Sequence, residues 1–147
     1  FIRHVIELCQ ERSIPCVADC KRHPSVYRGA ILKFNNDFDN RCCESLPFRN
    51  MVRTNGAVNP VLWENSYGTG RVTGLGYNLP DVQCINHVGA GDCFAAHLAL
   101  ALAHGYSLKE AAAVAHSAGR VYVQQRHNEP PHPDAIKADM ELAAIWV

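Results

Sequence analysis

Val88-Gly89-Ala90-Gly91-Asp92 joins a β-like segment to a long Ala/Leu-rich run, and no other stretch of the sequence restricts the fold as tightly. Small residues between a strand-like segment and a helix let the backbone come close to a ligand, while the first helical amides have no partner inside the helix. Free N–H groups and the positive end of the helix dipole favour an anion, and they favour the charge that develops as a phosphoryl group moves. Asp92 has two readings at this turn: a carboxylate that caps the helix, or one that acts on a bound ligand. The turn alone does not choose between them.

Around this turn the chain alternates helical and strand-like patterns. Phe1, Val5, Leu8 and Cys9 share one face of an amphipathic helix. Residues 14–20 and 30–34 read as strands, with Pro24 and Gly29 marking their connection, and residues 37–46 read as a short helix. A strand follows at 51–54, then a β-rich stretch over 61–88 in which Gly68, Gly70, Gly74 and Gly76 mark turns and bulges. From Ala90 a helix runs to near Gly105. Ser107 and Glu110 form a capping box for a second helix ending near Gln125, and Pro133 opens a third over 134–145. The alternation predicts an α/β fold with a mostly parallel sheet flanked by helices.

The 147 residues are 48% hydrophobic, enough for a real core, and 14 basic residues balance 14 acidic ones. Without a basic tract, neither nucleic acid nor an anionic membrane is the expected partner, and a small-molecule site is the better reading. Seven cysteines form no CxxC pair, so they are read as reduced thiols of a cytoplasmic protein. The most apolar stretch, residues 94–103, is too short to span a bilayer, and the first residues do not read as a basic region followed by an apolar core and cleavage site, so no signal peptide is expected in them. The chain starts inside a helix without Met, which reads as a fragment.

The string Gly89-Ala90-Gly91-Asp92-Cys93-Phe94-Ala95-Ala96 resembles the GAGD signature and following helix of ribokinase-like (PfkB) carbohydrate kinases. The resemblance implies an ATP- and Mg2+-dependent sugar kinase in which Asp92 takes the proton of the acceptor hydroxyl. The backbone of Gly89, Ala90 and Gly91 then forms the anion hole, which suits the positioning and charge stabilisation that phosphoryl transfer requires. Other stretches follow in the family's order. Asn36-Asp37-Phe38-Asp39 is similar to the NxxE motif that organises magnesium and the ATP phosphates, with Asn36 at the Asn and Asp39, the candidate metal residue, at the Glu; a solvated turn is the plain alternative.

Thr54-Asn55-Gly56-Ala57-Val58-Asn59 resembles the TxGxxG nucleotide loop, with Asn59 in place of the last Gly, so Thr54 and Gly56 are implied nucleotide contacts. His116 falls where related kinases place an Asn beside the adenine; it also reads simply as a helix-face histidine. Asn86 replaces an Asp associated with a monovalent cation, so no potassium is expected. Arg126-His127-Asn128-Glu129 departs from the family's Gly-containing turn.

Residues 14–21, ending in Asp19-Cys20-Lys21, are similar to a segment of heptose-phosphate kinases, which implies a sugar-phosphate, a heptose 7-phosphate first, as acceptor. Asp19 and Lys21 would meet it, or would form a strand-end salt bridge. The resemblance spans nearly the whole chain but only the C-terminal half of such a kinase. A single partial kinase domain over 1–147 is therefore expected, with the N-terminal half and lid lying outside it and a missing half or a homodimer partner completing the site.

A nucleotide-binding module that has lost catalysis is the main alternative. A dinucleotide site at Gly68–Gly74 is disfavoured because the glycine spacing is wrong and β-like sequence follows. His127 and His132 read as loop residues rather than metal ligands. Cys93, beside an acidic residue, reads as structural rather than as a nucleophile. Trp63 and Trp146 read as packing residues.

Overall fold

The computed structural model describes residues 1–35, 50–66, 69–77 and 79–143. The chain divides into two compact units, Phe1–Gly74 and Leu75–Val147. The expected helix over 37–46, Asn36, Asp39 and Trp146 lie outside the described residues.

The first unit contains helix α1 (Ile2–Glu11), a short 3-10 turn (Pro24–Tyr27) and five strands: β1 (Val17–Asp19), β2 (Ile31–Asn35), β3 (Asn50–Asn55), β4 (Val58–Ser66) and β5 (Thr69–Gly74). They form one sheet in the order β1-β2-β3-β4-β5. β1, β2 and β3 run parallel, while β4 and β5 add antiparallel hairpin strands, so the sheet is mixed.

The first strand is shorter than its apolar pattern predicts. Pro15 has no N–H to give to a ladder, and regular pairing starts only at Val17, opposite Ile31. On α1 the buried residue is Ile6, with Leu8 and Cys9 half-buried and Phe1 and Val5 exposed; the apolar stripe is rotated from the one expected. β3 and β4 are joined by Gly56-Ala57, and Gly56 takes φ +54°, the left-handed geometry a tight hairpin needs at this position. A bulge between Arg53 and Asn55 makes room for the buried Pro60 beyond the last β4–β5 pair, where the missing N–H costs no ladder bond.

Cys20, Leu32, Phe34 and Met51 form the core of this unit, with Ala18, Tyr27 and Trp63 packed against it. The Phe34 and Trp63 rings lie 5.7 Å apart, and the Arg53 guanidinium sits 5.3 Å from the Trp63 ring centre. Trp63 is thus a packing residue, as its surroundings in the sequence suggest.

The second unit begins with an irregular segment. The β-rich pattern expected to continue to Val88 stops at Gly74, because the amides of Ile85 and Asn86 bond to the Val123 carbonyl at 2.7 and 3.0 Å instead of to a strand. Three helices follow: α2 (Ala90–Ala103), α3 (Leu108–Val123) and α4 (Pro133–Leu142). The capping box is formed, with Ser107 Oγ accepting from the Glu110 amide at 3.3 Å and Glu110 accepting from the Ser107 amide at 2.8 Å. That bonding holds the Glu110 carboxyl below its ordinary range. α3 packs on both α2 and α4. It presents Ala111, Ala112, Ala115 and Ala118, all fully buried, so neighbouring backbones can approach closely.

Candidate active site

The Gly89 turn places a bare helix start, a carboxylate and a cavity side by side. Gly89 is the N-cap of α2 and has φ +86°, a conformation that L side chains rarely adopt. Asp92 is not the cap: it stands in the first turn of α2, exposed, and makes no cap bond. The capping reading of Asp92 therefore does not hold, and its carboxylate is free to face a ligand. Among the described residues, the amides of Gly89, Gly91 and Asp92 have no acceptor, whereas the Ala90 amide donates to the His87 carbonyl at 3.2 Å. The donors without an acceptor are thus Gly89, Gly91 and Asp92: the occupied Ala90 amide drops out of the Gly89-Ala90-Gly91 set read from the sequence, and Asp92 joins it.

The turn is held from outside the helix. The Asn86 side-chain oxygen accepts the Val88 amide at 3.0 Å, and its Nδ2 donates to Asn128 Oδ1 at 2.6 Å. The Tyr122 hydroxyl donates to the Val88 carbonyl at 2.8 Å. A cavity of about 490 Å³ opens beside the turn, lined by Asp92, Cys93, His97, Tyr122, Asn128 and Pro131 among others. His97 Nδ1 lies 2.8 Å from the Cys93 carbonyl, to which it donates. Burial pushes the Cys93 thiol up to about 11, so it stays protonated near neutrality, in keeping with a packing role.

A methyl group at Gly89 would lie 2.5 Å from the Tyr122 hydroxyl. Gly89→Ala meets both this clash and the left-handed backbone penalty, and is expected to cost about 2–4 kcal/mol of stability in chemical denaturation.

Of the other predicted site residues, His116 lies in the same unit as this turn. His116 is 6% exposed on α3, and its Nε2 has no hydrogen-bond partner among the described residues. It is a helix-face histidine turned into the unit's interior, and it is not among the residues lining the cavity beside Asp92. Burial first, and then the Arg120 charge, push its pKa down to about 4, against a smaller upward pull from Asp139. Unfolding lets this imidazole take a proton below its ordinary 6.5, while the folded chain keeps it neutral to about pH 4. Its contribution to stability is therefore complete above pH 6.5, declines as pH falls through that window, and is gone below about 4. The loss is on the order of 3 kcal/mol. Denaturant titrations at several pH values check this, and His116→Leu should flatten that part of the profile.

Asp19, Lys21, Thr54 and Gly56 belong to the first unit. Asp19 Oδ2 lies 3.3 Å from Lys33 Nζ, directly across the β1–β2 register, and the Lys33 side chain is only 4% exposed. A buried ammonium needs such a partner, so Asp19 forms the strand-end salt bridge, with Lys33 rather than with the exposed Lys21. The Thr54 hydroxyl donates to the Phe34 carbonyl at 3.3 Å, and Gly56 serves the hairpin turn. No group of three or more His, Cys, Asp or Glu able to hold a metal ion occurs among the described residues. His127 and His132 are exposed. The described part of the site therefore fits an anion, and Asp39, the residue expected to serve Mg2+, lies outside the described residues.

Tyr122 and His97 were not found by sequence reasoning. The Tyr122–Val88 bond joins residues 34 positions apart, and nothing local announces it.

A family model described as pfkB family carbohydrate kinase matches residues 49–135, more than half of the chain. The chain belongs to that family. Among solved structures it is similar to phosphofructokinase-2 from Escherichia coli in complex with potassium, at 16% identity and a TM-score of 0.76, covering 97% of this chain and 52% of that one. It is also similar to Arabidopsis thaliana ribokinase complexed with ribose and ATP (20% identity, TM-score 0.69, 95% and 50% covered). A third is a putative ribokinase II from E. coli in complex with ATP and Mg2+ (12%, 0.71, 95% and 53%). These likenesses show the ribokinase-like α/β fold, and the chain spans about half the length of the kinases it matches. A comparison with curated protein sequences returns no match. No helix among the described residues is long and apolar enough to cross a membrane.

Proposed function

We propose that this chain is the nucleotide-binding, phosphoryl-transferring half of a carbohydrate kinase, with Asp92 as the base. The observation that carries the reading is the Gly89 turn: bare amides at Gly91 and Asp92, the Asp92 carboxylate exposed on the same turn, and a cavity of about 490 Å³ beside both. Family membership and relatives solved with ATP, ribose and Mg2+ support ATP and Mg2+ as ligands and a sugar or sugar-phosphate as acceptor. ATP supplies the γ-phosphoryl group, and Mg2+ offsets its charge. The chain's own residues do the rest. Asp92 accepts the proton of the acceptor hydroxyl, and the free amides hold the phosphoryl oxygens as charge builds on them.

The acceptor proposed first is a heptose 7-phosphate, on the similarity of residues 14–21 alone. We read the chain as one partial kinase domain of a cytoplasmic protein, with acceptor alignment and water exclusion depending on a further half or on a partner copy. A second reading, a nucleotide-binding module without turnover, is favoured by the burial of His116 and the commitment of Asp19 to Lys33.

The test is ATP-dependent phosphorylation of a sugar panel that includes heptose 7-phosphate, by the chain alone and by the chain joined to the N-terminal half of a ribokinase-like kinase. Turnover in the joined protein supports the kinase. A folded joined protein that binds ATP but phosphorylates nothing supports the silent module instead.

A further inference from the structure

We propose that Tyr122 is a positioning residue that sets the direction of the free amides at Gly91 and Asp92, with the Asn86–Asn128 bond as its second anchor; this rests on the kinase reading of that turn. Helical geometry aims the Gly91 and Asp92 amides along α2, but the approach to Gly89 through residues 85–88 has no regular secondary structure of its own to hold the start of that helix. Here the end of α3 fixes the approach from two sides. The Val123 carbonyl takes the Ile85 and Asn86 amides, and the Tyr122 hydroxyl, one residue earlier, takes up the Val88 carbonyl at 2.8 Å.

The same hydroxyl lies 2.5 Å from where a Cβ at Gly89 would stand, so Tyr122 abuts Gly89 as well as bonding Val88. Tyr122 is 7% exposed, which leaves its ring little freedom to move. Asn86 closes the arrangement by accepting the Val88 amide while donating to Asn128. Anion binding gains from such anchoring because donors already aimed at their target need no reordering when the ligand arrives.

Tyr122→Phe removes the hydroxyl and keeps the ring. The experiment follows the full chain by 1H–15N spectra during titration with MgATP and, separately, inorganic phosphate, and records thermal melting. The expected result is a melting temperature within a few degrees of the parent, displaced amide resonances from Gly89 to Asp92 before any ligand is added, and about tenfold weaker MgATP binding. Unchanged turn resonances with unchanged affinity overturn the inference, as does an affinity loss that disappears once the folded fraction is taken into account. If Tyr122→Phe does not fold, Asn128→Ala, at an exposed position, carries the same readout, and unchanged binding and turn resonances there overturn the inference. A parent chain that binds neither MgATP nor phosphate overturns the kinase reading itself, and the positioning role with it. Binding by the parent with no change in the variant removes the positioning role alone.

Discussion

Asp92→Asn, made in the chain joined to a ribokinase-like N-terminal half, is expected to lower kcat by about a hundredfold or more while leaving MgATP affinity within about threefold. The substitution keeps the size of the side chain and removes only its ability to take a proton. Asp92 is exposed and makes no cap bond in α2, so its structural contribution is limited to a carboxylate near the positive helix end, about 0.3–1 kcal/mol. A large drop in turnover beside a nearly unchanged melting temperature therefore isolates chemistry from folding. Equal kcat in the two proteins would remove Asp92 as the base, and the proton would have to leave by another route.

The largest stability effect is expected away from the turn, at Arg120 and Asp139. Arg120 Nε lies 3.3 and 3.1 Å from the two carboxylate oxygens of Asp139, joining α3 to α4, and the side chains are 5% and 8% exposed. Asp139→Ala strands a buried guanidinium and should cost about 3–5 kcal/mol in urea denaturation. Replacing both partners, Arg120→Met with Asp139→Leu, should recover most of that loss, since two apolar side chains leave no buried charge to compensate. If the double variant is as unstable as the single one, the ion pair is not the source of the loss and the α3–α4 packing itself has been disturbed.

What the sequence disclosed was local. The α2 start, the Ser107–Glu110 capping box and the Pro133 helix start depend on residues within a few positions of one another, and each is found where its pattern predicts. The strands β2 and β3 are legible for the same reason. The β-rich reading ran past Gly74 to Val88, whereas the Ile85 and Asn86 amides are taken by the distant Val123 carbonyl. Lys33 as the partner of Asp19 needed the β1–β2 register, and the Tyr122–Val88 bond needed the packing of α3 against the turn. The spacing of His116 from Asp92 suggested a nucleotide contact, and only the packed unit shows that its face of α3 is buried. At Gly89–Asp92 the pattern located the turn, and only coordinates show that the Ala90 amide is occupied by His87 while the Asp92 amide stands free.

The strand order of the first unit carries a kinetic consequence. Each strand pairs with the strand that follows it in the chain, from β1 through β5. Among the described strands none has to be inserted between two already joined, so this sheet can grow by accretion at one edge. Each new pairing then closes only a single connection, and the entropy lost at each step is that of one loop rather than of the whole segment.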